Sequence, residues 1–187
     1  MEELCKQGLL VKHQGKGTFV QTPKLQKKIE QKPHTSFTEV CTLNGVKPTS
    51  QVITTSIIAA EEWQRENLEL QEGDTVLFIE RILSADDVPI IYETLYFPAK
   101  EFSDFPIEKL QSSSLFEILK EKYDIIDSSN NRTTIEVDVA TKKMAKKLRV
   151  LVGEPVILLT SYIKDKDNKT MYIKYKVAVG SRYTVSI

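Results

Sequence analysis

The stretch VLFIERILSADDVPIIYETLYFP, residues 76–98, decides the fold. Two arms rich in β-branched and aromatic residues flank the polar pair Asp86-Asp87, which is the pattern of two strands folded back through a turn. With Ala85 set against Pro89 across a short loop, Leu83 falls opposite Ile91, Arg81 opposite Glu93, Ile79 opposite Leu95 and Leu77 opposite Phe97. Side chains alternate faces along a strand, so this register places one Arg and one Glu on an otherwise apolar face. A slip that freed them would expose Leu77, Ile79, Leu95 and Phe97 instead. Two readings stay open for the charged pair: a cross-strand ion pair, or groups aimed into a ligand cavity. Burying an ion pair is a poor route to stability, because desolvation offsets the Coulomb gain, and this favours the cavity.

Composition bounds what surrounds this hairpin. A chain of 187 residues with 41% apolar and 28% charged residues suits one domain of ordinary size plus an appendage. Its 26 Lys and Arg balance 26 Asp and Glu, which argues against strong nucleic-acid binding by this chain alone, since counterion release needs surplus cations. Cys5 and Cys41 make neither a disulfide framework nor, with His13 and His34, a metal set, so no metal and no cofactor are expected. No signal-peptide pattern and no run of about 18 to 20 apolar residues is present. The expected location is the cytoplasm, with no membrane partner.

In chain order, residues 1–21 predict the end of a helix stopping at Gly8, a strand from Leu9 to Lys12, a turn at Gly15-Lys16-Gly17 and a return strand to Val20. Residues 22–32 are polar and Lys-rich, a linker or a solvated helix. A helix opens at Ser36 and stops near Gly45, with Ser36 and Glu39 at capping-box spacing. A strand at 50–58, a helix at 59–68 and the central hairpin follow. Ser114 and Glu117 repeat the capping-box spacing before a second helix, and then come a strand at 133–139, a helix at 140–148, a hairpin of 155–164 with 171–179, and a last strand at 183–187 extending the sheet. No internal repeat stands out. Hairpins interspersed with short helices, without a strand-helix-strand rhythm, predict an α+β fold with a mainly antiparallel sheet and flanking helices.

Helix N-termini rich in Ser offer unpartnered amides and a favourable dipole to an anion. Ser36 to Thr38 and Ser112 to Ser114 are two such starts, and either alone is also an ordinary cap. An inward Arg81 adds a fork of donors suited to phosphate, while Glu93 suits sugar hydroxyls or an amine. There is no Ser-His-Asp set, no Gly-x-Ser-x-Gly turn and no Gly-rich phosphate loop, so no catalytic residues are assigned.

Two groups of residues carry a family resemblance. GLLVKHQGKGTFV is similar to the wing that closes the winged helix-turn-helix domain of GntR-type bacterial transcription regulators. SFTEV, ERILSADDVPIIYETLYFP, SSSLFEIL, RTTIEVDVAT and the terminal GSRY resemble the effector-sensing UTRA domain of the HutC branch of that family, which shares its fold with chorismate lyase. The resemblance implies three parts: residues 1–21 as the remnant of a DNA-binding domain, 22–33 as a linker and 34–187 as the UTRA domain. It implies a ligand-sensing, dimerising domain, not an enzyme, whose small effector is an anion such as a phosphorylated sugar. DNA would be bound only by the full-length protein. Arg81, Glu93, Ser36, Phe37, Thr38, Ser112 and Ser114 match positions that line the effector pocket. Leu83 stands where many sugar-phosphate members carry a second Arg, and Tyr172-Ile173 where they carry Glu-Tyr, which brings in Tyr172, Tyr175 and Arg132 as substitutes. A homodimer is expected through the apolar strands near Val156 to Leu159 and Val177 to Val179. The alternative function is a chorismate-lyase-like enzyme or a stand-alone small-molecule-binding protein.

Overall fold

Strands β5 (Thr75–Ala85) and β6 (Val88–Pro98) form the central antiparallel hairpin. The computed structural model describes residues 10–13, 15, 17–20, 25–28, 36–125 and 132–186. Arg81 pairs with Glu93, Ile79 with Leu95, Leu77 with Phe97 and Leu83 with Ile91, as the alternation predicts. The turn is tighter than expected: Ala85 faces Val88 and Ser84 faces Pro89, so Asp86 and Asp87 alone make the loop. Their φ values of 47° and 64° are those of a primed two-residue turn, whose twist matches that of the strands. Ile90 is absorbed as a bulge. Asp86 Oδ1 accepts the Lys47 N–H at 2.9 Å and fixes the turn. Because Asp87 holds a left-handed conformation that glycine adopts freely, Asp87→Gly is expected to raise stability by about 0.5 to 1 kcal/mol. A urea midpoint at or below that of the wild type would contradict this.

The main sheet has six strands in the order β4-β5-β6-β9-β8-β7, all antiparallel. Its other members are β4 (Pro48–Ala59), β7 (Arg132–Val139), β8 (Pro155–Lys164) and β9 (Thr170–Val179). Helices α1 (Phe37–Leu43), α2 (Glu62–Leu68), α3 (Leu115–Tyr123) and α4 (Lys142–Leu148) flank it, with a 3-10 turn at Ile107–Gln111. Ahead of it, β1 (Leu10–His13) and β2 (Gly17–Val20) pair antiparallel. Gly15 and Gly17 between them take φ of 79° and 109°, which only glycine adopts without strain. The helix end expected at Leu4 to Gly8, Cys5 and His34 lie outside the described residues.

Two expectations are corrected. Within the stretch read as a linker or solvated helix, Leu25–Lys28 is strand β3, and it pairs in parallel with β10 (Tyr183–Ser186). The last strand therefore closes onto β3 instead of extending the main sheet. The cause is burial: Leu25 and Tyr183 both enter the core cluster of Val40, Cys41, Leu83 and Ile91.

The fold is also built from a duplication that sequence reading missed. α1-β4-α2-β5-β6 is followed by α3-β7-α4-β8-β9 in the same order. The sheet order makes β6 and β9 neighbours across a pseudo-twofold axis, with Thr94 opposite Tyr175 at its centre. Ala60 and Ala140, Leu68 and Leu148, Gly73 and Gly153, Val76 and Val156 correspond at one constant offset. The backbone agrees in detail. Glu69 and Arg149 end their helices at φ 57° and 53°, Gly73 and Gly153 both take φ 87°, and the Ala60 and Ala140 N–H groups donate to Asp74 O (3.0 Å) and Glu154 O (2.8 Å). Elsewhere the halves have diverged, so pattern matching along the chain does not see them.

Parity sorts the core between the two faces. On one face Ile79, Leu95, Phe97 and Tyr172 pack against α3, and Leu83, Ile91, Leu159 and Ala178 against α1 and β3. On the other, Ile82, Tyr92 and Val177 pack against α4, and Val76 and Ile173 against α2. Val156, Leu159, Val177 and Val179, expected to form a dimer surface, are thus buried within the chain itself.

Candidate functional site

Between the α1 cluster and the α3 cluster, on the face the two helices share, runs a band of charged residues. Arg81 lies between Ile79 and Leu83 on β5, and Glu93 lies between Ile91 and Leu95 on β6, so each is flanked by both clusters. The Arg81 Nε–H donates to Glu93 Oε2 at 2.5 Å, and the side chains are 5% and 1% exposed. The structure therefore forms the direct cross-strand pair, the reading that the sequence favoured less. It also adds cations. Glu93 faces Lys176 across β6 and β9, and Lys176 Nζ is 3.5 Å from Glu93 Oε1. Burial alone would raise the Glu93 carboxyl, but Arg81, Lys176 and Lys174 outweigh it and hold the group below the ordinary glutamate range. One buried carboxylate thus contacts Arg81 and Lys176 and lies within the electrostatic reach of Lys174.

Both Ser-capped helices bear on this face. The Ser36 hydroxyl accepts the Glu39 N–H at 3.1 Å, and Ser114 and Glu117 form a reciprocal capping box. These hydroxyls accept from their own helices and keep an O–H to donate. Ser112 is exposed and turned toward Lys109 O at 3.4 Å. Phe37 is half-buried against the α1 cluster, and Thr38 is exposed. The two helices are counterparts in the duplication, so what the sequence offered as two separate anion sites is one element used twice. Ser50, paired with Leu83 on β4, adds a buried hydroxyl without a hydrogen-bond partner among the described residues.

The substitutes for the missing Arg fall elsewhere. Tyr175 pairs with Thr94, whose neighbours Glu93 and Leu95 lie on the face of the charged band, so Tyr175 points to the opposite face and packs with the α4 cluster. Arg132 is exposed at the outer edge, over the Tyr162 ring at 5.9 Å. Tyr172 is on the right face but 4% exposed and stacked on Phe97, with centroids 4.9 Å apart, as part of the core. Lys174 and Lys176 were missed. Their signal is the alternation in MYIKYKVAV, where every second residue is apolar, but placing them beside Glu93 needs the β6–β9 register, which pairs strands far apart in sequence.

The opposite face has its own polar group. The Tyr92 hydroxyl donates to Glu80 Oε1, and Lys143 Nζ of α4 donates to the same oxygen at 2.7 Å. Burial would raise Glu80, but these bonds hold its carboxyl below the ordinary range. The group fastens α4 to β5, and its members are directed away from Arg81. A cleft of about 420 Å³ lies at the far end of β7 and β8, lined by Val137, Glu154, Pro155 and Ile157 among others, with none of the charged band in it. Among the described residues no helix is long and apolar enough to cross a membrane, and no three of His, Cys, Asp and Glu gather as for a metal ion.

Comparison with known proteins agrees with this architecture. The family model for the UTRA domain matches residues 43–184. The HTH-type transcriptional repressor NagR of Bacillus subtilis is 30% identical over 187 residues, covering 98% of this chain and 74% of its own length. A probable fructoselysine utilization operon transcriptional repressor of Escherichia coli O157:H7 is 26% identical, covering 100% of this chain and 75% of its own. In three dimensions the crystal structure of PhnF from Mycobacterium smegmatis superposes with a TM-score of 0.82 at 23% identity, over 100% of this chain and 81% of PhnF.

Proposed function

Because this chain belongs to the UTRA-domain family of GntR-type transcription regulators, we propose that it senses a small anionic effector, a phosphorylated sugar, and that the effector controls DNA binding by the full-length regulator as a homodimer. The observation that carries this reading is the charged band: one buried Glu93 among Arg81, Lys174 and Lys176, lying between two Ser-capped helices. Arg81 and the lysines supply the attraction for the anion. The helix starts at Ser36 to Thr38 and Ser112 to Ser114 supply amide and hydroxyl donors. Glu93 orients the uncharged part, and Phe37 walls it. Lys174 and Lys176 take the place of the cation that Leu83 lacks. One relative's name refers to fructoselysine utilisation, which accords with a sugar-derived effector.

The route to DNA is short. Val40 and Cys41 of α1 share one cluster with Leu25 of β3 and Tyr183 of β10, and β3 follows the β1–β2 hairpin that resembles the wing. A ligand that draws on the N-terminus of α1 thus acts on a helix packed against the strand leading to the DNA-binding unit, a coupling between distinct sites.

A thermal-shift screen tests the effector class. Sugar phosphates are expected to raise the melting temperature, with about 2.7 kcal/mol of stabilisation at one hundred times Kd, while the matching neutral sugars do nothing. Equal shifts from neutral sugars would overturn the anion reading, and conversion of chorismate would favour the lyase alternative.

A further inference from the structure

We propose that the exposed stripe of α4 is a DNA-contacting surface, which takes the phosphate backbone of the duplex beside the operator while the DNA-binding unit of the full-length regulator reads the operator itself. The inference rests on the regulator reading above and adds a second contact with the same partner. The duplication supplies an internal control. At one constant offset Glu62, Glu66 and the cap Glu69 of α2 stand where α4 has Lys142, Lys146 and the cap Arg149, and all six are exposed. Spacing of i, i+4 and i+7 sets each trio on one stripe of its helix, so two helices of the same build present stripes of opposite sign. The zero net charge of the chain conceals this sorting. Lys143 and Lys147 turn to Glu80, at 2.7 and 4.0 Å. Lys142, Lys146 and Arg149 have no ion-pair partner among the described residues. Like charges four residues apart oppose a helix, so nothing within α4 recovers the cost of the stripe.

The partner follows from place and charge. α4 packs on Ile82 and Tyr92, toward the turn of the central hairpin, and α2 packs on Val76, at the other end of β5. The chain coming from the DNA-binding unit arrives at the α4 end, where Leu25 of β3 lies with Leu83, Ala85 and Ile90. Arg182 ties the two together. Its carbonyl accepts the Leu25 N–H at 2.9 Å, and its guanidinium donates to the last carbonyls of α4, Leu148 O at 2.9 Å and Arg149 O at 3.2 Å, and to Pro89 O at 2.7 Å. Val20 ends the β1–β2 hairpin that resembles the wing, and the five residues from there to Leu25 reach at most about 18 Å. A duplex held at the wing is thus brought to the basic helix, with the acidic helix at the far end of the sheet. The stripe is about 10 Å long at roughly 1.5 Å per residue, and one DNA strand offers a phosphate about every 3.4 Å of axis, so three cations match successive phosphates.

Fluorescence anisotropy of the 187-residue chain with a labelled duplex of arbitrary sequence tests this. Wild type is expected to bind weakly, and three phosphate contacts give a loss of roughly fortyfold between about 50 and about 200 mM salt. Lys142→Glu/Lys146→Glu/Arg149→Glu carries onto α4 the charges that α2 already bears, so it should fold as wild type, which melting curves check. It should lower affinity at about 50 mM salt at least about tenfold and flatten the salt dependence. Lys146→Gln alone should reduce the slope of log K against log salt by about one. Lys100→Glu/Lys120→Glu/Lys166→Glu makes the same change in net charge at exposed positions off α4, and it should keep most of the affinity. Equal losses from the two triple variants would reduce the effect to net charge and overturn the surface. Competition by poly-glutamate as strong as by duplex at equal charge would assign the stripe to an acidic polypeptide instead. No binding by the wild-type chain would also overturn it, while operator binding by the full-length regulator, a separate measurement, would still stand.

Discussion

Replacing Arg81 by alanine is expected to destabilise the fold by about 3 to 5 kcal/mol and to abolish binding of the anionic effector in the same variant. The structural half of this expectation comes from burial. Glu93 is 1% exposed and bonded to Arg81 at 2.5 Å, so removing the guanidinium strands a carboxylate in the interior. Lys176, at 3.5 Å from the other oxygen, compensates in part and sets the effect at the lower end of that range. For a chain of this size the loss corresponds to a melting point lower by roughly 6 to 12 °C. Melting within a degree of wild type would mean that the pair is hydrated and that Arg81 is held for the ligand alone. Arg81→Lys separates the two roles, because it keeps the charge and loses the fork of donors. Stability should then return most of the way while effector affinity stays low.

Glu93→Gln should destabilise by a similar amount for the opposite reason, leaving Arg81, Lys174 and Lys176 without their carboxylate. This variant has a signature in pH. The Glu93 carboxyl is held below its ordinary value of 4.5, so its contribution to stability is fully present above that value and is lost as pH falls through the lower, folded-state value. The gap between wild type and Glu93→Gln should therefore be constant near neutrality and should close only below about pH 4.5. Inorganic phosphate should raise the melting temperature of the variant more than that of wild type, since an added anion replaces the missing charge. Urea titrations across pH that show a constant gap down to pH 3 would refute the electrostatic origin of the effect.

What the sequence made legible depended on distance along the chain. The β5–β6 register was readable because one tight turn fixes it and period-two alternation then carries Arg81 to Glu93. The two helix caps were readable because Ser36 with Glu39 and Ser114 with Glu117 are local. The lysines beside Glu93 were not, since Lys174 and Lys176 reach it through the pairing of β6 with β9, which no local signal specifies. Tyr175 went astray for the same reason: a residue's face is known only once its strand's register is known. β3 looked like a linker because Lys27 and Lys28 dominate its composition, whereas the burial of Leu25 decides its place.

The pseudo-twofold axis between β6 and β9 has a chemical meaning. A site on the axis of a true dimer of identical half-units would carry two copies of every group and would accept a ligand in either of two orientations. Within one chain the two halves need not carry the same groups, and here they do not. Glu93 corresponds to Lys174, Leu95 to Lys176, and Arg81 to Ser161, so one half contributes the acid and the guanidinium while the other contributes both amines. The cradle keeps its symmetric frame of two capped helices over one sheet. The groups on its floor are no longer symmetric, and under the proposed function a molecule with one charged end and one hydroxylated end has a single way to lie in it.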